Sequence, residues 1–117
     1  MEFHFEKLSV WQEAMKLVQL VYVMTKNFPP EERFGMLSQL RRAAVSIPAN
    51  ISEGKGRYSQ KEFAQFLYLS RGSLYETITL IKTSTDLGYL QPKDQERLLN
   101  QCQVVLSKLS GLINSLK

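Results

Sequence analysis

"RRAAVSIPANISEGKGRYS", Arg41 to Ser59, is the stretch on which the reading of this chain turns. Apolar residues recur there at helical spacing, yet Pro48 interrupts them, and Asn50, Glu53, Gly54 and Gly56 follow closely. Such a run suits a phosphate-binding loop, a helix end, or a polar device built into a helix. Set at 100° per residue, Leu40, Ala44, Ile47 and Ile51 fall on one side, while Arg42, Ser46, Asn50, Glu53 and Arg57 fall on the other. The polar residues therefore form a stripe rather than a scatter. The loop reading fails on spacing: a GxxxxGK[ST] motif would need Gly where Ala49 stands and Ser or Thr where Gly56 stands, and no strand precedes it. A helix remains. Pro48 removes one of its hydrogen bonds and crowds the Ala44 carbonyl, which predicts a kink. Ser46 and Asn50 are placed to pair with backbone groups that the kink frees, and Gly54 and Gly56 are expected to end the helix.

Upstream, a first helix is expected from about Leu8 to Asn27. Leu8, Trp11, Met15, Val18 and Tyr22 make one three-four stripe, and Val10, Ala14, Leu17, Val21 and Met24 make a second beside it. Leu20 and Val23 extend the apolar girth further, more than one small bundle hides, so one side is expected to meet another subunit. Pro29 and Pro30 end this helix, and Glu31 and Glu32 suit the positive end of the next. Downstream, Ser59 and Glu62 form a capping box for a third helix that carries Phe63, Leu67, Ser70, Leu74, Thr77, Ile81 and Ser84 to a stop at Asp86-Leu87-Gly88. Pro92 opens a fourth, with Leu98, Cys102, Val105, Leu109, Leu112 and Leu116 on one face. The predicted fold is all-α: a single domain over residues 1–117, an antiparallel up-down-up-down four-helix bundle.

Composition sets the outer limits. With 44% hydrophobic and 22% charged residues among 117, the chain has the make-up of a folded globular protein. The lone Cys102 excludes an internal disulfide and a cysteine-based metal cluster, and suits a reducing cytoplasm. "MEFHFEK" carries acids and no apolar core, so no secretory signal is expected there, and no run reaches the roughly 20 apolar residues of a membrane span. Catalysis is not expected. His4 is the only histidine, Cys102 sits at a core position, and Glu53 has no second carboxylate at useful helical spacing. Neither a cofactor nor a small-molecule substrate is expected.

Charge carries the functional signal. Between Arg33 and Lys61 six cations (Arg33, Arg41, Arg42, Lys55, Arg57 and Lys61) face one acid, Glu53, a local excess of +5 against +4 for the whole chain. Arg41, Arg42, Lys55, Arg57 and Lys61 are the candidate nucleic-acid contacts, gathered by the expected kink at one end of the bundle. Arg57-Tyr58 sets an aromatic beside a cation, which suits stacking on an unpaired base. A solvated helix end explains the same charges in one isolated subunit; repetition around an oligomer strengthens the anion-binding reading. Arg42, Ser46, Asn50 and Glu53 are expected to form a structural polar network, with Glu53 accepting from Arg42, Asn50 or Arg57.

The stretch Gln39 to Glu76 resembles the signature of the bacterial four-helix bundle proteins of the 23S ribosomal RNA intervening-sequence family. Its Ala-x-Ser-[VI]-Pro-x-Asn-Ile-x-Glu-Gly core is met by Ala44, Ser46, Ile47, Pro48, Asn50, Ile51, Glu53 and Gly54. "FEKLSVWQEAMKL" near the start and "DLGYL" at Asp86 to Leu90 extend the likeness over nearly the whole chain; Ser52, where Ala is commoner, departs from it. The resemblance implies a left-handed bundle assembled into a ring, a homopentamer, with no established reaction. The expected function is thus a non-enzymatic oligomeric bundle whose basic surface binds RNA or DNA without strong sequence preference. The alternative is a scaffold that docks onto a protein partner.

Overall fold

A computed structural model describes residues 1–117. It contains four α-helices: α1 (Ser9–Met24), α2 (Met36–Lys55), α3 (Gln60–Asp86) and α4 (Pro92–Ser115), with short 3₁₀ turns at His4–Lys7 and Pro30–Glu32. No strand is present, and no helix is long and apolar enough to cross a membrane. Each helix packs against its neighbours in sequence, α4 closes the circuit on α1, and no pair meets across the diagonal.

Directions follow from the linkers and from side-chain neighbours. The α2–α3 turn, residues 56–59, spans at most about 14 Å, while α2 is about 30 Å long, so α3 must run back along it. Arg41, near the start of α2, reaches the end of α1 at Tyr22 and Thr25. The start of α1, at Leu8 and Val10, lies beside Lys108 and Leu112 near the end of α4. The arrangement is the expected up-down-up-down bundle.

The core is drawn from one stripe of each helix. Val10, Ala14, Leu17 and Val21 face Leu40, Ala44, Ile47 and Ile51, with Leu67, Leu74 and Ile81 of α3 and Leu98, Val105 and Leu109 of α4. Of the two stripes read on α1, the second is the buried one. The first stays half-exposed, with Tyr22 open to solvent, because two adjacent stripes cannot both face the bundle axis; Val23, outside both stripes, is open as well. Near the end of α4 the buried position is Ile113, and Leu112 and Leu116 only flank the core.

The helix ends explain themselves locally. Ser59 Oγ accepts from the Glu62 amide at 3.1 Å, capping α3 as its sequence suggests. At the other end Gly88, with φ 83°, lets the Tyr89 amide return to the Ser84 carbonyl at 2.8 Å and its own amide to Thr85 at 3.0 Å. This is a left-handed glycine stop. Glu32 does not lie inside α2; it sits in the preceding 3₁₀ turn and caps α2 from there, accepting from the Met36 amide at 2.9 Å. Its second oxygen accepts from Tyr89 Oη at 3.0 Å, and that hydrogen bond holds the Tyr89 phenol above its ordinary pKa.

Candidate functional site

α2 runs unbroken from Met36 to Lys55 with Pro48 buried inside it. The expected repair of the proline gap takes a different form. Ser46 Oγ donates to the Ala43 carbonyl and Asn50 Nδ2 to the Ser46 carbonyl, both at 2.8 Å. Neither reaches Ala44, the carbonyl that Pro48 leaves without an amide. One turn on, Ser70 of α3 crosses to the Ile47 carbonyl at 2.9 Å and ties the two helices together in the core.

Of the two glycines read as ending α2, only Gly56 does so. Gly54 lies in the last turn of α2, wholly packed, and a Cβ built on it would stand 2.5 Å from Phe66 Cβ and 3.1 Å from Phe63 Cδ1. It lets α3 approach, rather than ending α2. Gly56 is the C-cap, but with a right-handed φ of −82°, so no left-handed stop exists there.

The expected polar stripe resolves into separate local pairs. Glu53 accepts from Arg57 at 2.8 Å, an i,i+4 ion pair with both side chains about half exposed. Asn50 bonds only backbone, and Arg42 stands exposed without a hydrogen bond to Glu53 or Asn50. No continuous network links Arg42, Ser46, Asn50 and Glu53.

Nor are the five candidate cations gathered at one end. Because α2 is a single helix through Pro48, the thirteen residues from Arg42 to Lys55 separate them by about 20 Å along its axis. At the α2–α3 turn, Lys55 lies over the Phe63 ring at 5.5 Å, Arg57 over the Phe66 ring at 4.6 Å, and Lys61 is exposed. Tyr58 between them is 100% exposed. At the opposite end Arg41 stacks on Tyr22 at 4.4 Å and donates to Thr25 Oγ1 and the Tyr22 carbonyl at 3.0 and 3.3 Å. It caps the carbonyl end of α1, where a cation is favoured.

Around Arg42 the surface is concave. Grooves of about 400, 400 and 350 Å³ meet at this side chain. Their other walls bring in Tyr22, Phe34, Ser38, Val45 and Glu76, none of which sequence reading assigned to a site. Ser38 and Val45 sit one turn to either side of Arg42 and were visible on the helical wheel. Tyr22, Phe34 and Glu76 arrive from other segments, and no local pattern announces them.

Elsewhere, burial pushes the Cys102 thiol up to about 12, so it stays protonated at neutral pH. His4 lies exposed in the N-terminal 3₁₀ turn.

Taken together these features define an antiparallel four-helix bundle with cations divided between a turn and a groove. The chain matches the family described as 23S rRNA-intervening sequence protein over residues 6–111 and belongs to it. Its fold is similar to the crystal structure of a protein of unknown function from the S23 ribosomal protein family of Bacteroides thetaiotaomicron, with a TM-score of 0.80. The two share 22% identity, over 89% of this chain and 97% of that one. No curated protein matches the chain.

Proposed function

We propose that this protein is a non-enzymatic, oligomeric four-helix bundle that binds RNA or DNA without strong sequence preference, through the α2–α3 turn. The observation that carries this reading is Tyr58: it is wholly exposed and flanked by Lys55, Arg57 and Lys61, with no carboxylate from residue 54 to 61. An exposed aromatic ring among cations stacks on an unpaired base while the cations hold phosphates, contacts that read no sequence. Only Arg57 shares its charge with a carboxylate, and that pair is exposed. Repetition of the turn in a ring, a homopentamer by family likeness, supplies the avidity one subunit lacks. The half-exposed outer stripe of α1 from Leu8 through Trp11 and Met15 to Val18 is the apolar surface that favours assembly. The buried thiol of Cys102 suits a cytoplasmic protein, and the reading assigns no cofactor and no small-molecule substrate.

A salt titration against a mixed single-stranded RNA pool tests it. If three cations per subunit contact phosphates, log K should fall against log salt with a slope of about −2 per engaged subunit. The triple change Lys55→Glu, Arg57→Glu, Lys61→Glu should abolish binding while helicity and particle mass stay unchanged, and Tyr58→Ala should weaken it. Absence of RNA and DNA binding even at low salt would overturn the reading. Sedimentation at micromolar concentration tests assembly, and a monodisperse monomer would remove the avidity on which binding depends. The second reading, a scaffold for an acidic protein partner, is favoured by one specific observation, the arginine-lined groove at the other end of α2.

A further inference from the structure

We infer that the groove centred on Arg42 is a docking site for an acidic peptide segment of a protein partner, seated by an apolar side chain over Tyr22 and Val45. The inference deepens the scaffold reading and is independent of the RNA contact at the α2–α3 turn. Three observations converge on it.

The first is charge without a partner. Arg33, Arg41 and Arg42 all line this surface, whereas the two ion pairs of the structure, Lys16–Glu13 and Arg57–Glu53, lie elsewhere. Arg41 spends its hydrogen bonds on neutral groups, so its charge remains. Carboxylates on a ligand would meet three guanidinium groups that pair with no carboxylate, and Arg33 and Arg42, which make no side-chain hydrogen bond, are free for forked pairing with a planar anion.

The second is the apolar floor between those charges. Tyr22, Val45 and Phe34 are 42%, 41% and 87% exposed, and all three line the grooves that meet at Arg42. Arg41 fixes the Tyr22 ring by stacking, and Arg33 lies over the Phe34 ring at 5.3 Å. Held aromatic surface beside guanidinium groups is what a protein segment uses as an anchor. Phosphodiester chains gain little from Val45 and Ala49, which floor the groove where it leaves Tyr22.

The third is shape. The joined grooves follow α2 from Leu37 to Ala49, about 18 Å of helix, and are open along their length rather than closed around a small molecule. Glu76 on the α3 wall gives the groove polarity. A bound segment would turn its acids toward the α1–α2 seam and its N–H or basic groups toward α3.

The experiment uses the full-length protein and two fluorescein-labelled peptides of about eight residues, long enough to span about 26 Å. One alternates Glu with Leu; the other has Gln for every Glu. Anisotropy should show the Glu peptide binding at least about tenfold tighter at physiological salt, the advantage expected of a few exposed charge pairs. The pair Arg33→Glu, Arg42→Glu should abolish that preference, and Val45→Ser should weaken both peptides. Both arginines are exposed and their side chains make no hydrogen bond within the fold, so the circular dichroism spectrum should not change. The triple change at Lys55, Arg57 and Lys61 should leave peptide binding intact, which separates failure here from failure of the RNA reading. Equal affinity for the two peptides overturns the inference. So does single-stranded RNA binding that is lost in the Arg33/Arg42 variant, which would make the groove a nucleic-acid surface. A change of particle mass in that variant likewise overturns it, in favour of a contact between copies of this chain.

Discussion

Replacing Gly54 by alanine sets two well-known effects against each other. Inside a helix, alanine is favoured over glycine by up to about 1 kcal/mol. At this site, however, the added Cβ would stand 2.5 Å from Phe66 Cβ. A Cβ is fixed to its backbone, so no rotation of Phe66 relieves the contact. α2 and α3 must instead part by about an ångström, next to Phe63, whose Cδ1 would lie 3.1 Å away. Overpacking of this kind costs about 1–3 kcal/mol, which exceeds the propensity gain. Gly54→Ala should therefore lose about 1 kcal/mol net, lowering the melting temperature by about 4 °C for a chain of this size. Gly72→Ala and Gly111→Ala provide the control, since both positions are exposed on helices and a Cβ there meets nothing within 4 Å. Each should gain about 0.5–1 kcal/mol. Urea unfolding followed at 222 nm, at one fixed protein concentration, measures all three. A Gly54→Ala protein as stable as the Gly72→Ala protein would refute the close approach of α2 and α3.

Three further substitutions follow from the polar groups. Ser70→Ala should cost about 1 kcal/mol by removing the cross-helix bond to Ile47, whereas Ser84→Ala should cost nothing or stabilise, because the buried Ser84 hydroxyl has no partner; paired urea curves that rank them the other way would contradict both assignments. Glu53→Ala should change stability by less than about 0.5 kcal/mol, as its only bond is the exposed pair with Arg57, and a loss above about 1.5 kcal/mol by the same assay would reveal a desolvated partner. Cys102, raised from 9.0 to about 12 by burial, should react with a disulfide reagent at pH 8 on the order of a thousandfold more slowly than after denaturation. Since folding raises that pKa, the associated stability is complete below pH 9 and is lost as pH climbs toward 12; the alkaline decline should be shallower in Cys102→Ala.

Much of the fold was legible because helices write their periodicity locally. On α3 every residue of the expected stripe, from Phe63 through Ser70 and Thr77 to Ser84, is buried. The Ser59 cap and the Pro92 start also stand where their chemistry puts them. Errors arose where one residue type serves two ends. Glycine near a helix terminus usually signals a stop, yet Gly54 is required by neighbours nine and twelve residues away in sequence, at Phe63 and Phe66. Likewise the spacing of Ser46 and Asn50 correctly implied backbone bonding, but which carbonyl each would choose depends on rotamers that no pattern records. The groove was the least legible feature, since Tyr22, Arg42 and Glu76 come from three helices and meet only after packing.

The unbroken course of α2 has an electrostatic consequence. A sum over residues 33–61 treats six cations as one patch, but the helix holds its two groups about 20 Å apart. At physiological ionic strength the screening length is about 8 Å, so charges at the turn and charges at the groove act on a ligand almost independently. They merge only near 10 mM salt, where the screening length reaches about 30 Å. Binding seen in dilute buffer would therefore reflect the whole basic stripe, and binding that survives at physiological salt must come from local contacts: Tyr58 with its three flanking cations, or Arg33 and Arg42 with the apolar floor at Tyr22 and Val45. Under the two proposed contacts, ligands of different chemistry would occupy α2 at once, each held by the surface at its own end.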